Sequence, residues 1–147
     1  MSGFLLDTNV ISELVKPKPD SRVTAWVDSV DENLLYLSVL TLGEIRKGVA
    51  LLQDASRRVT LEAWLDSELA LRFAHRILPI DQVVADRWGK MAARASMAKS
   101  PLPTIDGLLA ATAADHDLTL VTRNIRDVAV TGVPVFNPWA VEPTTAE

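Results

Sequence analysis

The chain has 147 residues, 48% hydrophobic and 23% charged, with a formal net charge of −4, which is the length and composition of one compact globular domain. No apolar run reaches the roughly 18 to 20 residues that cross a bilayer, and the opening Met1-Ser2-Gly3-Phe4 lacks a basic secretory leader, so a cytoplasmic protein is expected. With no cysteine and only two histidines, disulfides, thiolate chemistry and Cys/His zinc sites are excluded and any metal must be held by oxygen, while the acidic balance leaves only local patches for nucleic acid.

Short apolar runs alternate with helical patterns, which predicts a three-layer α/β/α sandwich around a mainly parallel sheet. A strand over 3–6 is stopped by Asp7-Thr8-Asn9, and a short helix over 10–15 must end before Pro17 and Pro19. Asp20 or Ser21 caps a second helix carrying Val23, Trp26, Val27 and Val30, and a strand follows over 34–39. Thr41 opens a helix to about residue 53, with Leu42, Ile45, Val49 and Leu52 at helical spacing. A longer helix over 57–74 repeats the pattern with Leu61, Trp64, Leu65 and Leu69, so the two form a helical arm. A strand over 77–80 leads to a helix capped by Asp81 with the stripe Val84, Trp88, Met91 and Ala95, then a loop over 99–103. Thr104 restarts a helix to about residue 116. Strands over 118–122 and 133–136 complete the sheet. A single domain over 1–139 and a frayed tail over 140–147 are expected.

The acids fall in suggestive places. Asp7 follows a strand buried on both faces and so stands at the carboxyl edge of the sheet, where parallel α/β sheets bind ligands. Glu44 comes one helical turn after the second strand and Asp106 in the first turn of a helix. The strand over 118–122 brings Thr122, Arg123 and Asn124 to the same edge, with Asp127 one turn later. Carboxylates gathered at one point repel unless a cation neutralises them, which favours Mg²⁺ or Mn²⁺. The same residues also read as helix caps: Thr41-Leu42-Gly43-Glu44 fits a capping box, Asp7 an N-cap, and Asp106 a dipole-complementing acid behind a Thr104 cap. Spacing alone leaves both readings open.

Phe4-Leu5-Leu6-Asp7-Thr8-Asn9-Val10-Ile11-Ser12-Glu13 resembles the opening of PIN-domain ribonucleases, in particular the VapC toxins of toxin–antitoxin pairs. The segments 38–48 and 104–113 resemble the second and third blocks of that family. Thr122-Arg123-Asn124-Ile125-Arg126-Asp127 and Val135-Phe136-Asn137-Pro138-Trp139 resemble its closing blocks, especially in the FitB-like branch. The resemblance implies a PIN-like fold and a divalent-metal-dependent endoribonuclease that cuts single-stranded or looped RNA to leave a 5′-phosphate. It implies Asp7, Glu44 and Asp106 as metal ligands and catalytic residues, with Thr8, Asn9 and Thr104 in support. Where the family often has another acid this chain has Asn124, with Asp127 three residues on; both are candidate ligands, and an Asn oxygen adds no charge. The implied partners are RNA, a VapB-like antitoxin whose segment occupies a groove and sends a basic side chain toward the acids, and operator DNA through that antitoxin alone.

Metal-assisted hydrolysis needs no protein nucleophile, which suits a chain without Cys or a Ser/His/Asp order. His75 and His116 sit near helix ends and are expected to be solvated. Arg46 and Arg123, each adjoining a motif residue, are the candidates for RNA phosphate contact. Leu51, Leu52, Trp64, Leu65 and Phe73 exceed what one small sheet must cover, pointing to a homodimer face or an antitoxin groove, with plain core packing as the alternative. Two rival functions are weighed. A metal-dependent phosphatase of the haloacid dehalogenase type wants a second Asp where Asn9 stands, and an inactive PIN-like interaction module has no need of three intact acids.

Overall fold

The computed structural model describes residues 2–141. The strands β1 (Phe4–Leu6), β2 (Leu35–Ser38), β3 (Ile77–Leu78), β4 (Thr119–Val121) and β5 (Val135–Phe136) form one sheet of order β3-β2-β1-β4-β5. Every pairing is parallel, with Leu5 opposite Tyr36 on one side and Leu120 on the other. The two edge strands are shorter than the sequence suggests, because Pro79 and Pro134 cannot donate to a ladder.

The helices are α1 (Thr8–Leu14), α2 (Ser21–Ser29), α3 (Val39–Ala50), α4 (Ala55–Ala63), α5 (Ala70–Arg72), α6 (Gln82–Met97), α7 (Thr104–Asp115) and α8 (Ile125–Val128). Three starts differ from expectation, each for a local reason. Asp7 accepts the Thr8 N–H and starts α1 two residues early. Ser38 ends β2 and its hydroxyl accepts the Leu40 N–H at 3.0 Å, so α3 begins at Val39. Thr41 therefore lies inside the helix, wholly buried, with its hydroxyl oxygen unpartnered, and the expected capping box does not form. Asp54 takes the N–H groups of Ser56 and Arg57 and starts α4 at Ala55. The expected single helix over 57–74 is in fact α4, a π-helical segment Trp64–Leu69, and α5.

Alternation along the strands divides the core into two layers. Leu6, Leu35, Leu37 and Val121 face α1, α2, α3 and the arm, where they meet Val10, Ile11, Val27, Ile45, Val49, Leu69 and Phe73. Leu5 and Leu120 face the other way, onto Leu109 and Ala113 of α7. Behind α7 lies α6, joined to it through Val84, Met91, Ala110 and Ala111. A Cβ on Gly107 would sit 2.9 Å from the Trp88 ring, so this helix pair closes only over a glycine. Of the tail expected at 140–147, residue 140 belongs to the turn Pro138–Ala140, and 142–147 lie outside the described residues. No described helix is long and apolar enough to cross a membrane.

The chain passes from β1 to β2 on one side and later returns to place β4 on the other, so the strand order reverses between β1 and β4. The carboxyl ends of these two strands frame a crevice, the usual ligand position in such sheets.

Candidate active site

An open cavity of about 630 Å³ sits at this switch point, lined by Asp7, Thr8, Asn9, Ser12, Glu44, Pro103, Thr104, Ile105, Asp106 and Asn124. Each acid arrives from a different element: Asp7 from the end of β1, Glu44 from the second turn of α3, Asp106 from the first turn of α7. Thr104 is the first residue of α7 and makes no capping bond, so the Thr104 cap expected from sequence is absent.

Asp7 is the most constrained of the three. Its Oδ1 accepts the Thr8 N–H at 2.7 Å, and its Oδ2 accepts the Thr122 hydroxyl at 2.8 Å and the Asn9 amide at 3.4 Å. Thr122 Oγ1 in turn accepts the Asn124 N–H at 3.0 Å, so its single proton is committed to Asp7. In the sequence this role of Thr122 is marked only by a hydroxyl residue at the end of an apolar strand, because its partner lies 115 positions away. Asp7 thus caps α1 and faces the cleft at once, and the two readings of it are compatible.

Burial pushes the Asp7 carboxyl above its ordinary range, against the lowering effect of its bonds to Thr122 and Thr8, with Glu44 adding repulsion. Asp106 is pushed up to about 6, first by burial and then by the charges of Asp7, Asp127 and Glu44. Glu44 accepts a hydrogen bond from the Thr8 hydroxyl. Among the described residues no three acidic or histidine side chains close into a preformed ion cage. The donor set nevertheless suits a hard divalent cation: the acids are mutually repelling, all ligands are oxygen, and Asn9 Oδ1 is buried beside them with no hydrogen-bond donor.

The remaining candidates separate. Asn124 lines the cleft, whereas Asp127 and Arg123 line a neighbouring depression, Asp127 close enough for its charge to act on Asp106. Arg46 is ion-paired to Asp66 and lines a different pocket with Leu42, Gly43 and Leu65, so it does not serve the cleft. Two residues along a helix point about 200° apart, which turns Arg46 away from Glu44. His75 lies in a turn with φ 68° and His116 caps the end of α7; neither lines the cleft.

The expected apolar surplus divides three ways. Leu65 and Phe73 are core, Leu51 is exposed, and Leu52 and Trp64 line an apolar groove of about 210 Å³ between α1, α3 and α4. Ser12 and Glu44 belong to both groove and cleft and form the wall between them.

The PIN domain family model matches residues 4–131. Toxin FitB of Neisseria gonorrhoeae is 42% identical over 136 residues, 92% of this chain and 98% of that protein. VapC ribonuclease Y4jK of Sinorhizobium fredii is 36% identical over 136 residues, 92% of this chain and 97% of that protein. Among solved structures, FitAB bound to an IR36 DNA fragment superimposes with a TM-score of 0.90 at 39% identity, covering 97% of this chain and 99% of that one.

Proposed function

The chain belongs to the PIN-domain family, and on that premise we propose that it is the toxin of a toxin–antitoxin pair, a divalent-metal-dependent endoribonuclease of the VapC and FitB type. The observation that carries this reading is the meeting of Asp7, Glu44 and Asp106 in one open cavity at the sheet's switch point. Those three side chains would hold the ion, with Asn124 as a neutral oxygen donor and Asp127 as a charge behind Asp106. Mg²⁺ is the ion proposed, with Mn²⁺ able to replace it, because hard oxygen donors serve both. When bound, the cation supplies Lewis-acid activation of the phosphodiester and of the attacking water and offsets the charge that develops in the transition state.

The protein's own residues set the geometry. Thr122 and the Thr8 N–H fix both oxygens of Asp7, and Asn9 braces the same carboxylate. Glu44 and Thr8 tie α3 to the start of α1. Water would be the nucleophile, since the Thr8, Ser12 and Thr104 hydroxyls that line the cleft have no His or Lys among their lining neighbours to activate them, and the product would carry the 5′-phosphate that the family resemblance implies.

One nuclease domain is taken to run over residues 1–139. A VapB-like antitoxin segment is assigned to the apolar groove, where Glu44 and Ser12 give it contact with the cleft. The FitAB–DNA structure supports operator binding through the antitoxin, and a homodimer is proposed on the exposed apolar residues such as Leu51 and Leu71. Cleavage of a single-stranded RNA titrated with Mg²⁺ and Mn²⁺, for the wild type and Asp7→Asn, tests the nuclease reading. Saturable metal dependence lost in Asp7→Asn is expected; undiminished cleavage by Asp7→Asn would overturn it.

A further inference from the structure

A net charge of −4 and a carboxylate-lined cleft are a poor start for holding a polyanion, so the chain must provide positive charge locally. Most of its guanidiniums are committed elsewhere. Arg46 pairs with Asp66, Arg72 and Arg76 with Glu32, Arg87 with Asp115, while Arg57 and Arg58 bond the carbonyls of Val15 and Leu52. The loop after β4 differs. Among the described residues neither Arg123 nor Arg126 forms an ion pair with a carboxylate, and both line a depression of about 410 Å³ with Asn124, Asp127 and Asn137.

One residue joins that depression to the cleft, and two further features prepare it for a ligand. Asn124 lines both, so the two adjoin at the carboxyl end of β4. The Arg123 guanidinium rests 5.2 Å above the ring of Trp139, itself 6% exposed, which limits the rotamers it must lose on binding a ligand. Asn137 spends its Oδ1 on the Trp139 N–H at 2.9 Å, leaving the amide NH₂ as a donor.

We propose that this depression seats the nucleotide next to the scissile phosphate, with Arg123 and Arg126 gripping its phosphate and Asn137 donating to its sugar or base. The proposal rests on the ribonuclease reading of the cleft and adds to it the direction of the strand, from the acids toward the β5 edge. Two guanidiniums stand against the carboxylate of Asp127, and Asp20, whose charge Arg123 also feels, is answered by its own pair with Arg22, so the depression takes the sign opposite to the cleft. The substrate therefore bridges a cation-requiring site and a cationic one.

The test uses the full chain and a fluorescein-labelled single-stranded RNA of mixed sequence, with anisotropy measured in EDTA so that no cleavage intervenes. The Arg123→Gln/Arg126→Gln variant is expected to bind roughly tenfold or more weakly near 100 mM salt. Its slope of log K against log salt should fall by about 0.7, the value for one neutralised phosphate on a single strand. In Mg²⁺ its cleavage should show a raised KM and an unchanged metal concentration for half-activity. Arg87→Gln/Lys90→Gln removes the same charge on α6, beside Asp115 at the far end of α7, and should bind within twofold of the wild type. Equal weakening by both double variants would overturn the subsite in favour of a diffuse charge effect. Wild-type binding and KM in Arg123→Gln/Arg126→Gln, with cleavage still abolished by Asp106→Asn, would also overturn it while leaving the nuclease reading intact. No metal-dependent cleavage by the wild type would remove both.

Discussion

Helix α1 carries a buried carboxylate at each end, and the two ends are solved differently. Glu13, 5% exposed, accepts from Lys16 Nζ and from the Asp20 N–H, both at 2.9 Å, and the lysine bond above all holds its carboxyl below the ordinary range. Asp7, 6% exposed, has only neutral donors, and burial with Glu44 beside it pushes its carboxyl up. One end finds its counter-charge within the fold, bracing the turn into α2. The other leaves negative charge that only something outside the chain can balance, which is what separates a structural acid from a functional one.

Removing Glu13, or one acid of the cluster that Asp7 joins, should break that comparison most sharply. Asp106→Asn is expected to lower metal-dependent RNA cleavage by about 10³-fold or more, on the order of 4 kcal/mol in the barrier. Its melting temperature in EDTA should hold or rise, because one of several repelling carboxylates is gone. Glu13→Ala should do the reverse, losing about 2 kcal/mol of stability in denaturant unfolding while specific activity of the folded fraction is retained. A smaller effect belongs to Thr122→Val, which takes the hydroxyl donor from Asp7 and an acceptor from the Asn124 N–H. A loss of about 1 kcal/mol and of roughly tenfold in kcat is expected, with Thr122→Ser restoring both; equal loss in Thr122→Ser would reduce its role to packing.

The pH dependence of metal-free stability should separate Glu13 from the cleft acids by sign. The Glu13 carboxyl is lowered in the folded state, so its contribution is present above the ordinary Glu value of about 4.3 and is lost as pH falls below it. Asp106 is raised to about 6, so folding favours its protonated form. Ionising it therefore costs stability progressively as pH rises from about 4 to about 6. Glu13→Ala should flatten the acid limb, and Asp106→Asn the limb between about 4 and 6.

The residues that carry the comparison were unevenly legible in the sequence. Asp7 and Glu44 could be placed at the sheet edge because the first directly follows, and the second lies about one turn beyond, an apolar strand run, whereas Asp106 is legible only as an acid in the first turn of the helix after the loop over 99–103. Frame errors arose where two polar residues compete for one role. Ser38 and Thr41 both satisfy a capping pattern, and the winner was decided by Thr41 being wholly buried against the core. The π-helical segment Trp64–Leu69 leaves no local mark, since its residues are ordinary helix formers. Arg46 misled by sequence adjacency alone, whereas Thr122 acts on a carboxylate 115 positions away, a distance over which only the assembled sheet decides.

The position of β1 between β2 and β4 has a further consequence, in time rather than space. At a synthesis rate of about 5 to 20 residues per second, β1 waits several seconds or more before β4 exists to pair with it. Until then the Asp7 side chain has no Thr122, and α7 lacks the part of its floor that Leu118 and Leu120 supply. Pairings of such long sequence separation form late and slowly. A chain cut before β4 should therefore lack an assembled acid cluster, and the proposed activity should arise only as the last third of the protein emerges.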